Sequence, residues 1–193
     1  HSFSRRQRQM CIRDRDMPFN TYKNKLQALK NCKKIIKETK CDGIKLEGGS
    51  KIKDIIKHLV NNKIPVMGHI GITPQSQRGR FRYKGKTEKE KKNLLKDSKI
   101  LEEAGVFAIV LECIEKKLSK KITETIEIPT IGIGSSKFCD GQILVLDDLL
   151  GLTNSKIKFV KKYANFKSNI RNAVKKFGSD VKRGSYPSLK HSY

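Results

Sequence analysis

The stretch Val106-Phe107-Ala108-Ile109-Val110-Leu111-Glu112 decides the fold class. Six apolar residues in a row leave no polar alternation, so a strand built from them is buried on both faces. Such strands belong to parallel sheets covered by helices. The run is bounded by Gly105 and by Glu112. Before it, Thr87 is positioned to cap a helix running to Ala104, with Glu90 at the capping-box position. After it, the spacing predicts a helix over Ile114–Ile126 and a strand over Thr130–Ile133, closed by Gly134-Ser135-Ser136. Working back, Ile64–Met67 reads as a strand ended by Gly68-His69-Ile70-Gly71. Lys51–Asn61 reads as a helix capped by Ser50, Gly43–Glu47 as a strand, and Tyr22–Glu38 as a helix. Arg15–Pro18 fits the end of one more strand. Gln142–Leu146 is a weaker one, and helices near Lys156–Tyr163 and Lys167–Lys182 finish the chain.

This βα rhythm fits a TIM-type (βα)8 barrel or an open doubly wound sheet. The polar residues favour the barrel. Asp16, Lys45 with Glu47, His69 and Glu112 each fall at or near the end of a different strand, and barrel strand ends converge on one mouth.

Each of these residues has an ordinary reading as well as a chemical one. Glu112 is a solvated strand-end acid, or a partly desolvated base with a raised pKa. Lys45 and Glu47, two apart on a strand, point the same way and form either an ion pair or part of a site. Asp16 is a turn residue, or with Glu47 a source of the hard oxygen ligands that Mg²⁺ takes. His69 is a structural hydrogen-bonder or a ligand. Gly132-Ile133-Gly134 lacks the full dinucleotide pattern and reads as a tight turn.

The 193 residues carry 43 Lys and Arg against 19 Asp and Glu, a net charge of +24. The lysines interleave with apolar residues at helical spacing, as solvated helix faces do. Aromatics are 7% of the chain, and no zinc-finger, helix-turn-helix or RNA-binding signature is present. The expected partners are small molecules rather than nucleic acid. No apolar run reaches the roughly 18 residues that cross a bilayer, so no membrane partner is expected. Five cysteines without CxxC pairing suggest reduced thiols in a cytoplasmic protein.

Residues 1–15, HSFSRRQRQMCIRDR, differ from the rest. Their charge is arginine, and Arg5–Arg15 resembles a translated transposon-type sequencing adapter. The expected organisation is a non-native tail over 1–15, carrying +4, and a partial barrel domain over 16–193, carrying +20.

Several segments together resemble the ketopantoate (3-methyl-2-oxobutanoate) hydroxymethyltransferase family. They are Asp16-Met17-Pro18-Phe19, Gly43–Gly49, Pro65–Ser76, Val110–Cys113, Ile131–Gly134 and Asp140–Val145, with Tyr186-Pro187 and His191-Ser192 near the end. The resemblance implies a (βα)8 barrel that serves pantothenate biosynthesis. The family transfers a hydroxymethyl group from 5,10-methylenetetrahydrofolate to 3-methyl-2-oxobutanoate. It implies that Asp16 and Glu47 belong to a Mg²⁺ site, that Asp16 and Lys45 bind the keto acid, and that Glu112 is the proton acceptor. It also implies a homo-oligomer. The family's Gly-Asp-Ser motif and first two strands have no match in residues 1–15, so an incomplete barrel and an inactive, unstable chain are expected. The loop Gln77–Lys86 is shorter and more basic than the family's. Two alternatives stand beside this reading. One is another Mg²⁺-dependent 2-oxo-acid barrel of the isocitrate lyase and phosphoenolpyruvate mutase type, although no catalytic cysteine loop is evident. The other is a basic nucleic-acid-binding protein.

Overall fold

In a computed structural model, residues 13–75 and 82–193 are described. Residues 1–12 of the expected tail, and 76–81 with the first half of the basic loop, lie outside the described residues. The chain divides into two compact units, residues 1–143 and 144–193.

The first unit alternates strands and helices. Its elements are β1 (Asp14–Asp16), α1 (Lys25–Thr39), β2 (Gly43–Glu47), α2 (Lys53–Asn61), β3 (Val66–Gly71) and α3 (Glu88–Glu103), followed by β4 (Ala108–Glu112), α4 (Lys116–Thr125), β5 (Thr130–Ile133) and β6 (Gly141–Gln142). The six strands form one sheet in the order β1-β2-β3-β4-β5-β6, and every pairing is parallel. A doubly wound sheet reverses its strand order at a switch point. Among the described residues this sheet has no reversal.

The apolar run of β4 shows why both faces are buried. Ile109 and Leu111 join the larger core, with Ile44 and Leu46 of β2, Ile56 and Leu59 of α2, and Leu101 of α3. Ala108 and Val110 point the other way and pack with Met67, Ile131 and Ile133 on the opposite face. Alternation is present, but both sides are apolar.

Thr87 caps α3 as expected, its Oγ1 accepting the Glu90 N–H at 3.2 Å. The Glu90 carboxylate accepts from the N–H groups of Gly85 and Lys86. Four expectations need correction. β3 does not stop at Met67; it runs on to Gly71, so His69 lies inside the strand. Gly68 looks like a terminator, but a Cβ there would sit 2.9 Å from Leu101 Cδ1. It is a close-approach glycine that lets α3 pack on the strand. Ser50 does not cap α2 with its side chain; its N–H donates to Asp97 Oδ1 at 2.9 Å, and a short 3-10 turn over Ser50–Ile52 leads into the helix. The strand expected over Gln142–Leu146 is reduced to Gly141–Gln142, because Val145 caps a new helical turn. Lys156–Tyr163 is not helical. Ser155 Oγ accepts from the Ile157 N–H and Lys162 donates to the Thr153 carbonyl, and both bonds hold turns instead.

The second unit contains α5 (Leu146–Leu149) and α6 (Phe166–Lys182). Asn165 Oδ1 caps α6 through the Ser168 N–H. Phe177 packs edge-on against Tyr186 at 5.4 Å between centroids. Among the described residues, no helix is long and apolar enough to cross a membrane.

Candidate active site

Strand register decides which side chains share a face. Asp16 pairs with Lys45, Glu47 with His69, His69 with Val110, and Gly71 with Glu112. Parallel partners in register point to the same side, and so do residues two apart. Asp16, Lys45, Glu47, His69 and Glu112 therefore stand on the face that carries Met67, Ala108 and Val110. The apolar residues form a floor towards the strand starts, and the polar ones crown the strand ends.

Lys45 Nζ lies 3.1 Å from Asp16 Oδ1 and 3.1 Å from His69 Nδ1. His69 Nε2 lies 3.1 Å from Glu112 Oε2. The second ring contact is close but poorly aimed, and Nε2 has no formed hydrogen bond. A buried donor in that state costs about 1–3 kcal/mol. His69 Nδ1 is 3.8 Å from Glu47 Oε1, too far for a hydrogen bond. Burial is uneven: the side chains of His69 and Glu47 are 2% and 5% exposed, Glu112 18% and Asp16 55%.

Desolvation acts most visibly on Glu47. Burial pushes its carboxyl above the usual range, against the lowering pull of His69, the Gln75 N–H and Lys45. Glu112 adds a smaller upward push.

Three residues that the sequence reading passed over hold this group in place. The Gln75 N–H donates to Glu47 Oε2 at 3.0 Å, and its side-chain amide donates to the Met17 carbonyl at 2.9 Å. The loop after β3 is thus tied to β2 and to the end of β1. Tyr22 Oη donates towards the Glu47 carbonyl at 3.4 Å and to Gln75 Oε1 at 3.3 Å. Ser135 Oγ donates to the Leu111 carbonyl at 2.6 Å and accepts from the Ile114 N–H at 3.0 Å, fixing the backbone on both sides of Glu112. Cys113 sits between them at φ 50°. Tyr22 entered the sequence reading only as the first residue of the expected helix over Tyr22–Glu38, whereas α1 begins at Lys25 behind its cap Asn24 and Tyr22 lies in the connection before it. Gln75 and Ser135 act through backbone groups distant in sequence, which no local pattern records.

The cysteines here do not have nucleophile chemistry. Burial pushes the Cys113 thiol up to about 11, with Glu112 adding to it, and the Cys32 thiol up to about 12, with Cys41 adding to it. Both therefore remain protonated at neutral pH. We expect neither to be alkylated by iodoacetamide at pH 8 in the folded protein, with both reacting once it is unfolded in urea. Because both folded values are raised, their contribution to stability is present below the ordinary thiol value near 9 and is lost as pH rises from about 9 to 12. A urea midpoint that rises over that window would contradict this.

A family model described as ketopantoate hydroxymethyltransferase matches residues 3–189. The chain belongs to the ketopantoate hydroxymethyltransferase family. Curated relatives carry the name 3-methyl-2-oxobutanoate hydroxymethyltransferase. The one from Pelagibacter ubique is 58% identical over 178 residues, covering 92% of this chain and 69% of the relative. One from Clostridium botulinum is 50% identical over 182 residues, covering 92% and 66%. One from Helicobacter pylori is 50% identical over 181 residues, covering 92% and 67%. The chain thus spans about two thirds of the length of these relatives. Within the family match, Asp14 and Arg15, expected in the tail, form β1 with Asp16 and pair with Gly43 and Ile44.

The residues present fit a divalent cation. The cluster holds three carboxyl groups, with Asp16 against the Lys45 ammonium and Glu47 and Glu112 beside His69. Burial disfavours the charged form of Glu47, and a cation beside it would offset that cost. Hard carboxylate oxygens on adjacent strands are the donor type Mg²⁺ takes, and water or substrate oxygens usually complete its shell. Among the described residues no cluster of three protein ligands forms, so Asp16 and Glu47 would leave the remaining positions to other oxygens.

Proposed function

We propose that the six strands belong to a (βα)8 barrel and that the polar crown binds 3-methyl-2-oxobutanoate and converts it to 2-dehydropantoate, with 5,10-methylenetetrahydrofolate as the one-carbon donor. The sequential parallel order supports the barrel. The observation that carries the chemistry is the chain of contacts Asp16–Lys45–His69–Glu112, each step 3.1 Å, on one sheet face.

Asp16 and Glu47 would hold the magnesium ion. When bound, it supplies Lewis-acid stabilisation of negative charge on the 2-oxo oxygen. Lys45, anchored between Asp16 and His69, presents a second positive charge to the keto acid. Glu112 accepts the C3 proton. The C–H electron pair moves into the C2–C3 bond and onto the 2-oxo oxygen. C3 then bonds to the folate methylene carbon as the first of that carbon's two C–N bonds breaks towards nitrogen; water then displaces the second nitrogen, which leaves with a proton, and the water oxygen becomes the hydroxyl of the product. The floor of Met67, Ala108 and Val110 gives the two methyl groups of the substrate an apolar surface.

The direct test uses the keto acid in D₂O without folate. On this reading its C3 hydrogen exchanges for deuterium in the presence of Mg²⁺, exchange stops with a chelator, and adding methylenetetrahydrofolate yields 2-dehydropantoate. Exchange would overturn the expectation that this chain is inactive; absence of exchange in the folded, magnesium-loaded protein would refute the proposed chemistry for it.

A further inference from the structure

We propose that His69 is a positioning residue for Glu112: Lys45 holds one side of its ring, and the other side directs an N–H at the Glu112 carboxylate. The proposal rests on the reading of Glu112 as proton acceptor given above. An ammonium group can only donate hydrogen bonds. Lys45 Nζ stands 3.1 Å from His69 Nδ1, so Nδ1 is the acceptor. The ring hydrogen then sits on Nε2, because fixing one nitrogen fixes the tautomer at the other. Glu47 Oε1, at 3.8 Å from Nδ1, is too distant to reverse this choice.

The ring has little freedom to do otherwise. His69 lies within β3, paired with Glu47 on one side and Val110 on the other, and its side chain is 2% exposed. Its backbone carbonyl accepts the Gly48 N–H at 3.0 Å. Nε2 faces Glu112 Oε2 at 3.1 Å, off the line of the N–H, and has no other hydrogen-bond partner. Catalytic hydrogen bonds are often misaligned before substrate binds and tighten in the complex. Rotation of the more exposed Glu112 side chain, rather than of the buried ring, would bring the carboxylate onto this N–H.

The arrangement would give the base a fixed geometry. An N–H donor on one carboxylate oxygen leaves the other oxygen to take the substrate proton. It also links two roles: the lysine that faces the keto acid sets the tautomer of the ring that aims the base. Neither Asp16 nor Glu47 needs to move for this to operate.

Two substitutions separate this role from simple packing. Gln places its amide nitrogen near the position of Nε2, so His69→Gln keeps a donor towards Glu112. Asn places its polar atoms near Nδ1, so His69→Asn keeps a partner for Lys45 and leaves Glu112 without a donor. The readouts are the deuterium exchange rate at C3, the KM for the keto acid, and ¹⁵N chemical shifts of the imidazole in the unsubstituted protein. His69→Asn is expected to lower the maximal exchange rate by about 10- to 100-fold with little change in KM. His69→Gln is expected to recover a large part of that loss. The ¹⁵N spectrum is expected to show an unprotonated Nδ1 and a protonated Nε2.

Equal losses in both variants, a loss confined to KM, or a protonated Nδ1 would each overturn the proposal. If the unsubstituted protein exchanges no deuterium, the proposed activity fails. The tautomer measurement, which needs no turnover, then still decides the geometry claimed for His69.

Discussion

Glu112→Gln is expected to lower the C3 exchange rate by about 10²- to 10⁴-fold, the usual range for removing a positioned general base. The amide is nearly isosteric with the carboxylate but has no basic oxygen for a carbon-bound proton. Its position is set by the backbone, because Ser135 holds Leu111 and Ile114 on either side and Cys113 accepts the left-handed turn between them. The side chain is 18% exposed and lies on the surface of the crown, so the fold should tolerate the change. The KM for the keto acid should move little, since Lys45 and Asp16 are untouched. Steady-state exchange with a parallel melting curve would check both claims. A variant that exchanges at the parent rate would remove Glu112 from the chemistry.

Gly71→Ala should be the most damaging single methyl group in this part of the sheet. Gly71 has φ +103°, a conformation that L side chains rarely adopt. Its added Cβ would also lie 2.1 Å from the backbone oxygen of Glu112. That oxygen already accepts the Ile72 N–H at 2.9 Å, so the contact is backbone against backbone and neither side can yield cheaply. Strain of this kind costs about 1–3 kcal/mol, and forcing extra volume into a packed site costs about as much again. A loss of roughly 2–6 kcal/mol, read as a lower urea midpoint, is therefore expected. Exchange should also fall, because β3 and β4 can separate only by moving Glu112. A stability within 1 kcal/mol of the parent, a limit well below the cost of such strain, would count against this account.

These two positions show what the sequence could and could not convey. The short strand Gly43–Glu47 and the apolar run Val106–Leu111 were legible as parts of a buried parallel sheet, and Lys45, Glu47 and Glu112 in or just after them as a candidate site. Nothing in such runs states which neighbour each strand takes, because strands apolar on both faces carry no mark of side or order. The sequential order is a tertiary property. β3 was cut short in the reading because Gly68 is a breaker by composition but a docking surface for Leu101 in space. That error placed His69 beyond the strand, where its link between Lys45 and Glu112 could not be seen. Gln75 and Ser135 stayed hidden for a different reason. They bind backbone groups 21 to 58 residues away, and such contacts leave no periodic trace. The lysine excess was read correctly as helix surface in the first unit, where α3 carries Lys89, Lys91, Lys92, Lys96 and Lys99 around the buried Leu94 and Leu101.

The strand order has a consequence for how the chain acquires its structure. Among the described residues, each of the strands β2 to β6 pairs with the one made just before it. Loop-closure entropy stays modest at each step, and the ladder can grow in the direction of synthesis. The crown is different: Asp16 and Glu112 come together only after four strands are in place. Assembly of the scaffold is local and progressive, whereas the chemistry arrives late and all at once.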